Sequence, residues 1–324
     1  MNAATWPRPD PLRERLLHVD RGTGALHDLR LADLPDLVGP GDVLVVNDAA
    51  TLPASFRLPG GELRLAQRLP DGTWLAVLFG PGDWRTRTED RPPPPAVAAG
   101  DRLPLGPDLV ADVRDLRRPR LVRIAFDKDG AALWRAIYRL GRPVQYAHVA
   151  APLELWHVQT GFAARPWAVE EPCAGRPLTA ALLDAIRRRG AEVRPLTHAA
   201  GLSSTGDPEL DALLPFPEAY EIPAATAAAL DRAGRVVATG TTVVRALESY
   251  AATGARAGVT DLIVDARHHR RAVDAVLTGV HEPGSSHFHL LEAFAPPALL
   301  ERAHAHAHAA GYLAHEFGDS VLLS

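Results

Sequence analysis

Two stretches of this chain share one design, and that design restricts the fold more than any other feature. LTAALLDAIRRRGAEVRPLT (Leu178 to Thr197) reads as a helix opening at Thr179, a stop at Gly190 and a strand running to Thr197. PAATAAALDRAGRVVATG (Pro223 to Gly240) repeats the plan, with a helix over 224–233 and a strand over 235–239. VVATGTTVVRALESY (Val236 to Tyr250) then passes through Gly240 into another helix. GPGDVLVVND supplies a continuous apolar run of the kind covered on both faces, with Asn47 and Asp48 at its carboxyl end. Helices alternating with such strands predict an α/β fold with a largely parallel sheet flanked by helices. Further strands are expected at 16–19, at DLIVD (261–265) and at SVLL near the end, and further helices at 179–189, near SSHFHLLEAF and in PALLERAHAHAHAAG.

From about Arg57 the texture changes. Short alternating runs (GELRLAQRL, TWLAVLF, DLVADVRDL, RLVRIAFD) are separated by Gly, Pro and Asp. That spacing predicts a small β-barrel inserted into the α/β domain. RPPPPAVAAG lies within it, and four consecutive prolines suit an extended surface loop and no central strand. The expected division is an α/β domain over 1–56 and 132–324 with a barrel over 57–131.

The chain has 324 residues, enough for a large core, and 47% of them are apolar. Its net charge of −4 supplies no global basic field for nucleic acid. Cys173 is the single cysteine, which rules out an internal disulfide and any cysteine-cluster metal site and fits a reducing cytoplasm. The first residues lack the apolar core of a signal peptide, and no apolar run is long enough to span a membrane.

Ligands of open α/β sheets gather at the carboxyl ends of strands. Gly240 allows a sharp turn there, and Thr241 or Thr242 is placed to cap the next helix. The helix end suits a carboxylate or phosphate, Arg245 can point back at the same anion, and Glu248 sits three residues on to hold the guanidinium. The bland reading is a capped helix with a surface ion pair.

In TGVHEPGSSHFHLLEAF, His281 is the best acid–base candidate, since an unperturbed imidazole titrates near neutral pH. Ser285 is a plausible helix N-cap. His287 and His289 are two apart and face differently on a helix, and no fourth ligand is near, so no metal is expected. His304, His306 and His308 alternate with Ala and read as a solvated helix face. Asp319 lies in HEFGD beside the last strand. Glu218 sits between two aromatic residues in LLPFPEAYEIP, where burial raises a carboxyl and makes it a usable proton carrier.

The order of these pieces resembles one family, the S-adenosylmethionine:tRNA ribosyltransferase-isomerases of queuosine biosynthesis. The resemblance rests on GDVLVVNDAATLPASF, EAYEIP, ATGTTVVRALES, HEPGSSHFHLLEAF and YLAHEFGDSVLL, spread over nearly the whole chain. It implies an α/β domain interrupted by a β-barrel, and S-adenosylmethionine as donor of its ribosyl group to the amine of a 7-aminomethyl-7-deazaguanine base in tRNA. On that resemblance Glu218 and His281 are the catalytic candidates. Gly240, Thr241, Thr242, Arg245, Asn47, Ser285 and Asp319 are the substrate-binding candidates, with Arg245 and the adjacent helix end receiving the methionine carboxylate.

The chain departs from the family pattern at several places. Ala50 stands where an arginine is usual, and Phe216 where a histidine is usual. EEPCAGRP replaces a typical Ala-Pro-Thr-Ala-Gly-Leu-His segment, keeping Ala174 and Gly175 but placing Pro177 at its histidine. These losses and the acidic charge favour a second reading, in which S-adenosylmethionine is used with a different, small-molecule acceptor or another chemistry. A catalytically silent binding protein on the same scaffold is the third.

Overall fold

The computed structural model describes residues 1–324. In chain order its main elements begin with strands β1 (Arg15–Val19), β2 (Leu26–Arg30) and β3 (Asp42–Asn47). Six more strands follow: β4 (Ser55–Leu58), β5 (Gly61–Arg68), β6 (Trp74–Phe79), β7 (Arg102–Gly106), β8 (Leu109–Leu116) and β9 (Leu121–Phe126). Then come α1 (Gly130–Leu140), α2 (Ala180–Arg188), β10 (Glu192–His198), β11 (Glu218–Glu221), α3 (Ala224–Leu230), β12 (Arg235–Thr239) and α4 (Thr241–Thr253). β13 (Ala257–Thr260), β14 (Ala275–Gly279), α5 (Ser286–Leu291), α6 (Pro297–Ala309) and β15 (Ser320–Leu323) complete the chain.

The larger sheet runs β13-β11-β10-β3-β12-β14-β15-β1-β2. Its centre, β10-β3-β12-β14, is parallel. Outside it, only β15 and β1 pair in parallel, and the other four neighbouring pairs are antiparallel. The sheet is therefore mixed, which corrects the expectation of a largely parallel one. Parallel neighbours need long crossovers, and the helix–glycine–strand cassettes supply them only at the centre; the β1–β2 edge closes by a short turn around Gly22-Thr23-Gly24. Every residue of β3 is buried, as its unbroken apolar run requires.

Helices cover both faces. α2 presents Leu182, Leu183 and Ile186 to one core, where they meet Leu44, Val46 and Leu277. Each such side chain, buried, contributes about 1.5–3 kcal/mol. Thr179 caps α2 through its hydroxyl, which accepts from Leu182 N. On the opposite face α3, α4, α5 and α6 pack over Val43, Val45, Val236 and Val276. Two element boundaries differ from expectation. α3 stops at Leu230, and the strand expected over 261–265 lies at Ala257–Thr260, where pairing with β11 fixes it.

The second sheet, β4-β5-β6-β9-β8-β7, is antiparallel throughout, and its edge strands β4 and β7 come together to form a nearly closed six-strand barrel. Phe56, Leu65, Trp74, Phe79 and Ile124 fill it, and α1 closes one end with Ala136 and Ile137. The proline-rich segment packs against it: a Cβ at Gly80 would lie 1.9 Å from Pro92 O, so only glycine fits.

Candidate active site

The four central parallel strands deliver Asn47, His198, Thr239 and Gly279 to one edge of the sheet. At the end of β12 the backbone turns through Gly240 at φ +87° and ψ 160°, a region open to glycine alone. A Cβ there would also sit 3.3 Å from Ala174 Cβ. α4 then starts with no side-chain cap, so neither Thr241 nor Thr242 takes the role expected of it. The N–H groups of Thr241, Thr242 and Val243 have no backbone acceptor. The Thr242 hydroxyl lies 3.4 Å from Asn47 Nδ2, which also donates to His198 O at 3.0 Å. Asn47 Oδ1 accepts from His198 N at 2.9 Å, so this one side chain ties β3, β10 and α4 together.

Arg245, one turn into α4, is buried. Its Nη1 pairs with Glu218 Oε2 and its Nε donates to Leu262 O at 2.9 Å. Glu218 begins β11, and its Oε1 accepts from Gly201 N at 2.6 Å. Burial raises the Glu218 carboxyl, opposed by Arg245 and by the Gly201 N–H. Glu248 does not hold the guanidinium as expected. It is fully buried and accepts from the backbone N–H groups of Arg271, Ala272 and Val273. His198, which sequence reasoning passed over, lies 3.5 Å from Glu218 Oε2, and neither ring nitrogen has a hydrogen-bond partner. Burial, and then the Arg245 charge, push it well below an ordinary imidazole, so it is neutral at pH 7.

Just past β14, His281 Nε2 hydrogen-bonds with the Thr278 hydroxyl at 2.7 Å, and its ring stacks on His287 at 4.9 Å between centroids. Burial, then His287 and His315, drive the His281 pKa well below the ordinary value. The premise of an unperturbed His281 is corrected: at neutral pH it accepts a proton poorly and acts as a neutral hydrogen-bonding group. Ser285 caps α5, accepting from Phe288 N at 3.2 Å. Asp319 is fully engaged, by Arg15 N at 2.9 Å, Leu313 N at 2.8 Å and Arg8 at 2.6 Å.

The EEPCAGRP segment brings further charge to this edge. Cys173–Gly175 forms a single turn beside Gly240. Glu170 accepts from Tyr146 Oη, and burial pushes its carboxyl up to about 7. The Glu171 side chain is 3% exposed and lies 3.3 Å from Arg176 Nε, yet neither of its oxygens has a hydrogen-bond partner. Burial pushes Glu171 up to about 8. Glu14, whose Oε1 accepts from Ser320 Oγ at 2.6 Å, is pushed up to about 7 by burial. This segment departs from the family pattern in sequence, but its burial comes only from the fold.

The arrangement offers free N–H groups suited to an anion, a buried Glu–Arg pair, and carboxyls poised to exchange protons near neutral pH. Residues 2–323 match the family described as queuosine biosynthesis protein. An S-adenosylmethionine:tRNA ribosyltransferase-isomerase of Thiobacillus denitrificans is 33% identical over 323 residues, covering 95% of this chain and 90% of its own. A relative of the same name from Thermus thermophilus is 34% identical over 318 residues, covering 91% and 87%. The crystal structure of an S-adenosylmethionine tRNA ribosyltransferase from Thermotoga maritima shares the fold, with a TM-score of 0.55 at 23% identity over 99% of this chain and 96% of that one. The chain belongs to the queuosine biosynthesis protein family.

Proposed function

We propose that this protein is an S-adenosylmethionine:tRNA ribosyltransferase-isomerase, an enzyme that transfers the ribosyl group of S-adenosylmethionine to the amine of a 7-aminomethyl-7-deazaguanine base in tRNA. The observation that carries this reading is the match to relatives of that name along nearly the full length of both chains. In this reading the barrel, expected over 57–131 and beginning with β4 at Ser55, is one domain, and the α/β body expected over 1–56 and 132–324 is the other.

The open N-terminus of α4 receives the methionine carboxylate through the N–H groups of Thr241, Thr242 and Val243. Asn47 fixes the Thr242 hydroxyl beside it. Arg245 acts from behind, since its guanidinium is committed to Glu218 and Leu262 O. The sulfonium acidifies the neighbouring C5′ hydrogen and later departs with methionine, while adenine leaves from C1′. Glu218 is the proton carrier, kept near the site by Arg245 and raised by burial. His281 and His198 are neutral hydrogen-bonding groups that orient the substrate, while Ser285 and Asp319 hold the loop and strand that carry His281.

Incubation with S-adenosylmethionine and tRNA carrying the aminomethyl-deazaguanine tests the reading. Adenine and methionine are expected in equal amounts, with the tRNA gaining the ribosyl-derived ring. Release that is indifferent to the tRNA would favour a small-molecule acceptor instead. Binding without release would favour a silent binding protein.

A further inference from the structure

His148, His315 and Glu316 come from two distant parts of the chain, yet their ligand atoms lie within 4.8 Å of one another. His148 follows α1 and the segment Gly141–Ala147, whereas His315 and Glu316 follow the short strand Leu313–Ala314. His148 Nε2 and Glu316 Oε2 are 2.5 Å apart. The two imidazoles stack at 4.5 Å between centroids, and the Tyr146 ring lies parallel to His148 at 6.5 Å. His315 is the one non-glycine residue with positive φ, at 68°. A residue with a Cβ adopts that conformation at a cost, and the His315 ring lies over His148. His148 and Glu316 are partly buried and His315 is exposed, so the cluster opens to solvent on one side.

Carboxyls gather beside this cluster. Glu171 lies within electrostatic reach of Glu316 and Glu14, and Glu14 of Asp319, with the guanidiniums of Arg8 and Arg176 nearby. Glu14 Oε2 and both oxygens of Glu171 are buried without hydrogen-bond partners.

We propose that His148, His315 and Glu316 form a divalent-cation site of the zinc class, with at least one coordination position open to solvent. Two imidazole nitrogens and a carboxylate oxygen are the donor set for such an ion, at about 2.0–2.2 Å from each ligand. Tetrahedral ligands at that distance are roughly 3.4 Å apart, so taking up an ion parts His148 from Glu316 by about 0.9 Å and draws the widest pair of ligand atoms in by up to about 1.4 Å. The ion displaces the proton shared between His148 and Glu316. It sits near the EEPCAGRP turn, whose Arg176 Nη2 reaches Glu316 O at 3.5 Å. The proposal stands apart from the ribosyl-transfer reading, because binding is read without S-adenosylmethionine or tRNA.

The full chain, stripped with chelator and exchanged into metal-free buffer, is titrated with Co2+, followed by its visible d–d absorption, and then with Zn2+ as competitor. One equivalent of tetrahedral Co2+, displaced by Zn2+, is expected. His315→Gly suits the positive φ and so keeps the fold, and Glu316→Gln keeps the side-chain shape; each is expected to weaken binding at least ~10-fold. His308→Ala, on the exposed face of α6, is expected to leave it unchanged. No stoichiometric binding by the wild-type chain, or binding that survives either of the first two substitutions, overturns the proposal.

Discussion

Arg245 and Glu218 hold one another inside the protein, and each is expensive to leave alone. Replacing Arg245 by Ala strands a buried carboxylate and is expected to cost about 3–5 kcal/mol in urea denaturation. Glu218→Gln on the Arg245→Ala background should recover part of that loss, giving a coupling above about 1 kcal/mol; additivity within about 0.5 kcal/mol would show that the two do not interact. Glu171 behaves oppositely. Its carboxyl titrates near 8 in the fold against an ordinary 4.5, so the folded state binds the proton more tightly. Its contribution is full below about 4.5, declines as pH rises and is gone by about 8, an effect of a few kcal/mol. Glu14 and Glu170 titrate in the same direction, to about 7. Denaturation midpoints between pH 5 and 8 should therefore fall with pH in the wild-type chain and fall less in Glu171→Gln; parallel slopes would remove Glu171 from the explanation.

At the scale of elements, the turn into α4 carries the proposed site. Gly240→Ala forces a Cβ into a glycine-only conformation and against Ala174. A loss of about 1–3 kcal/mol is expected, together with weakened S-adenosylmethionine binding; unchanged affinity would detach the turn from the ligand. The turn and the two helix–glycine–strand cassettes were legible in the amino-acid order, because periodicity and glycine placement are local properties. Strand direction was not. β15 lies between β14 and β1, partners far off in the chain, and nothing local records that it runs against β14. The edge strand at Ala257–Thr260 is largely exposed and carries no apolar pattern, so the more hydrophobic 261–265 misled. Helical spacing placed Glu248 near Arg245, but the carboxylate is claimed by three backbone N–H groups of the 271–273 segment. His148 and His315 meet only through the fold.

For the whole molecule, the barrel keeps its own hydrophobic cluster, separate from the two on the larger sheet, but takes in side chains from beyond its strands. Val169, Leu202, Leu210 and Phe216 come from outside the barrel strands and pack into its interior cluster. Phe216 lies two residues before Glu218, so barrel packing and site geometry are linked along one short segment. Phe216→Ala is expected to cost about 3–5 kcal/mol, read by far-UV circular dichroism in denaturant, and to lower turnover as well; a loss under about 1 kcal/mol would mean the two bodies pack independently. No helix is long and apolar enough to cross a membrane. The proposed reaction requires the amino-acid end of a sulfonium nucleoside to rest on the bare N–H groups of α4. The most direct measurement is calorimetric titration of the protein with S-adenosylmethionine and with its decarboxylated analogue, which differ only in the carboxylate. Charge-assisted hydrogen bonds to that group predict that S-adenosylmethionine binds about 10- to 100-fold tighter. Equal affinity for the two would contradict the account.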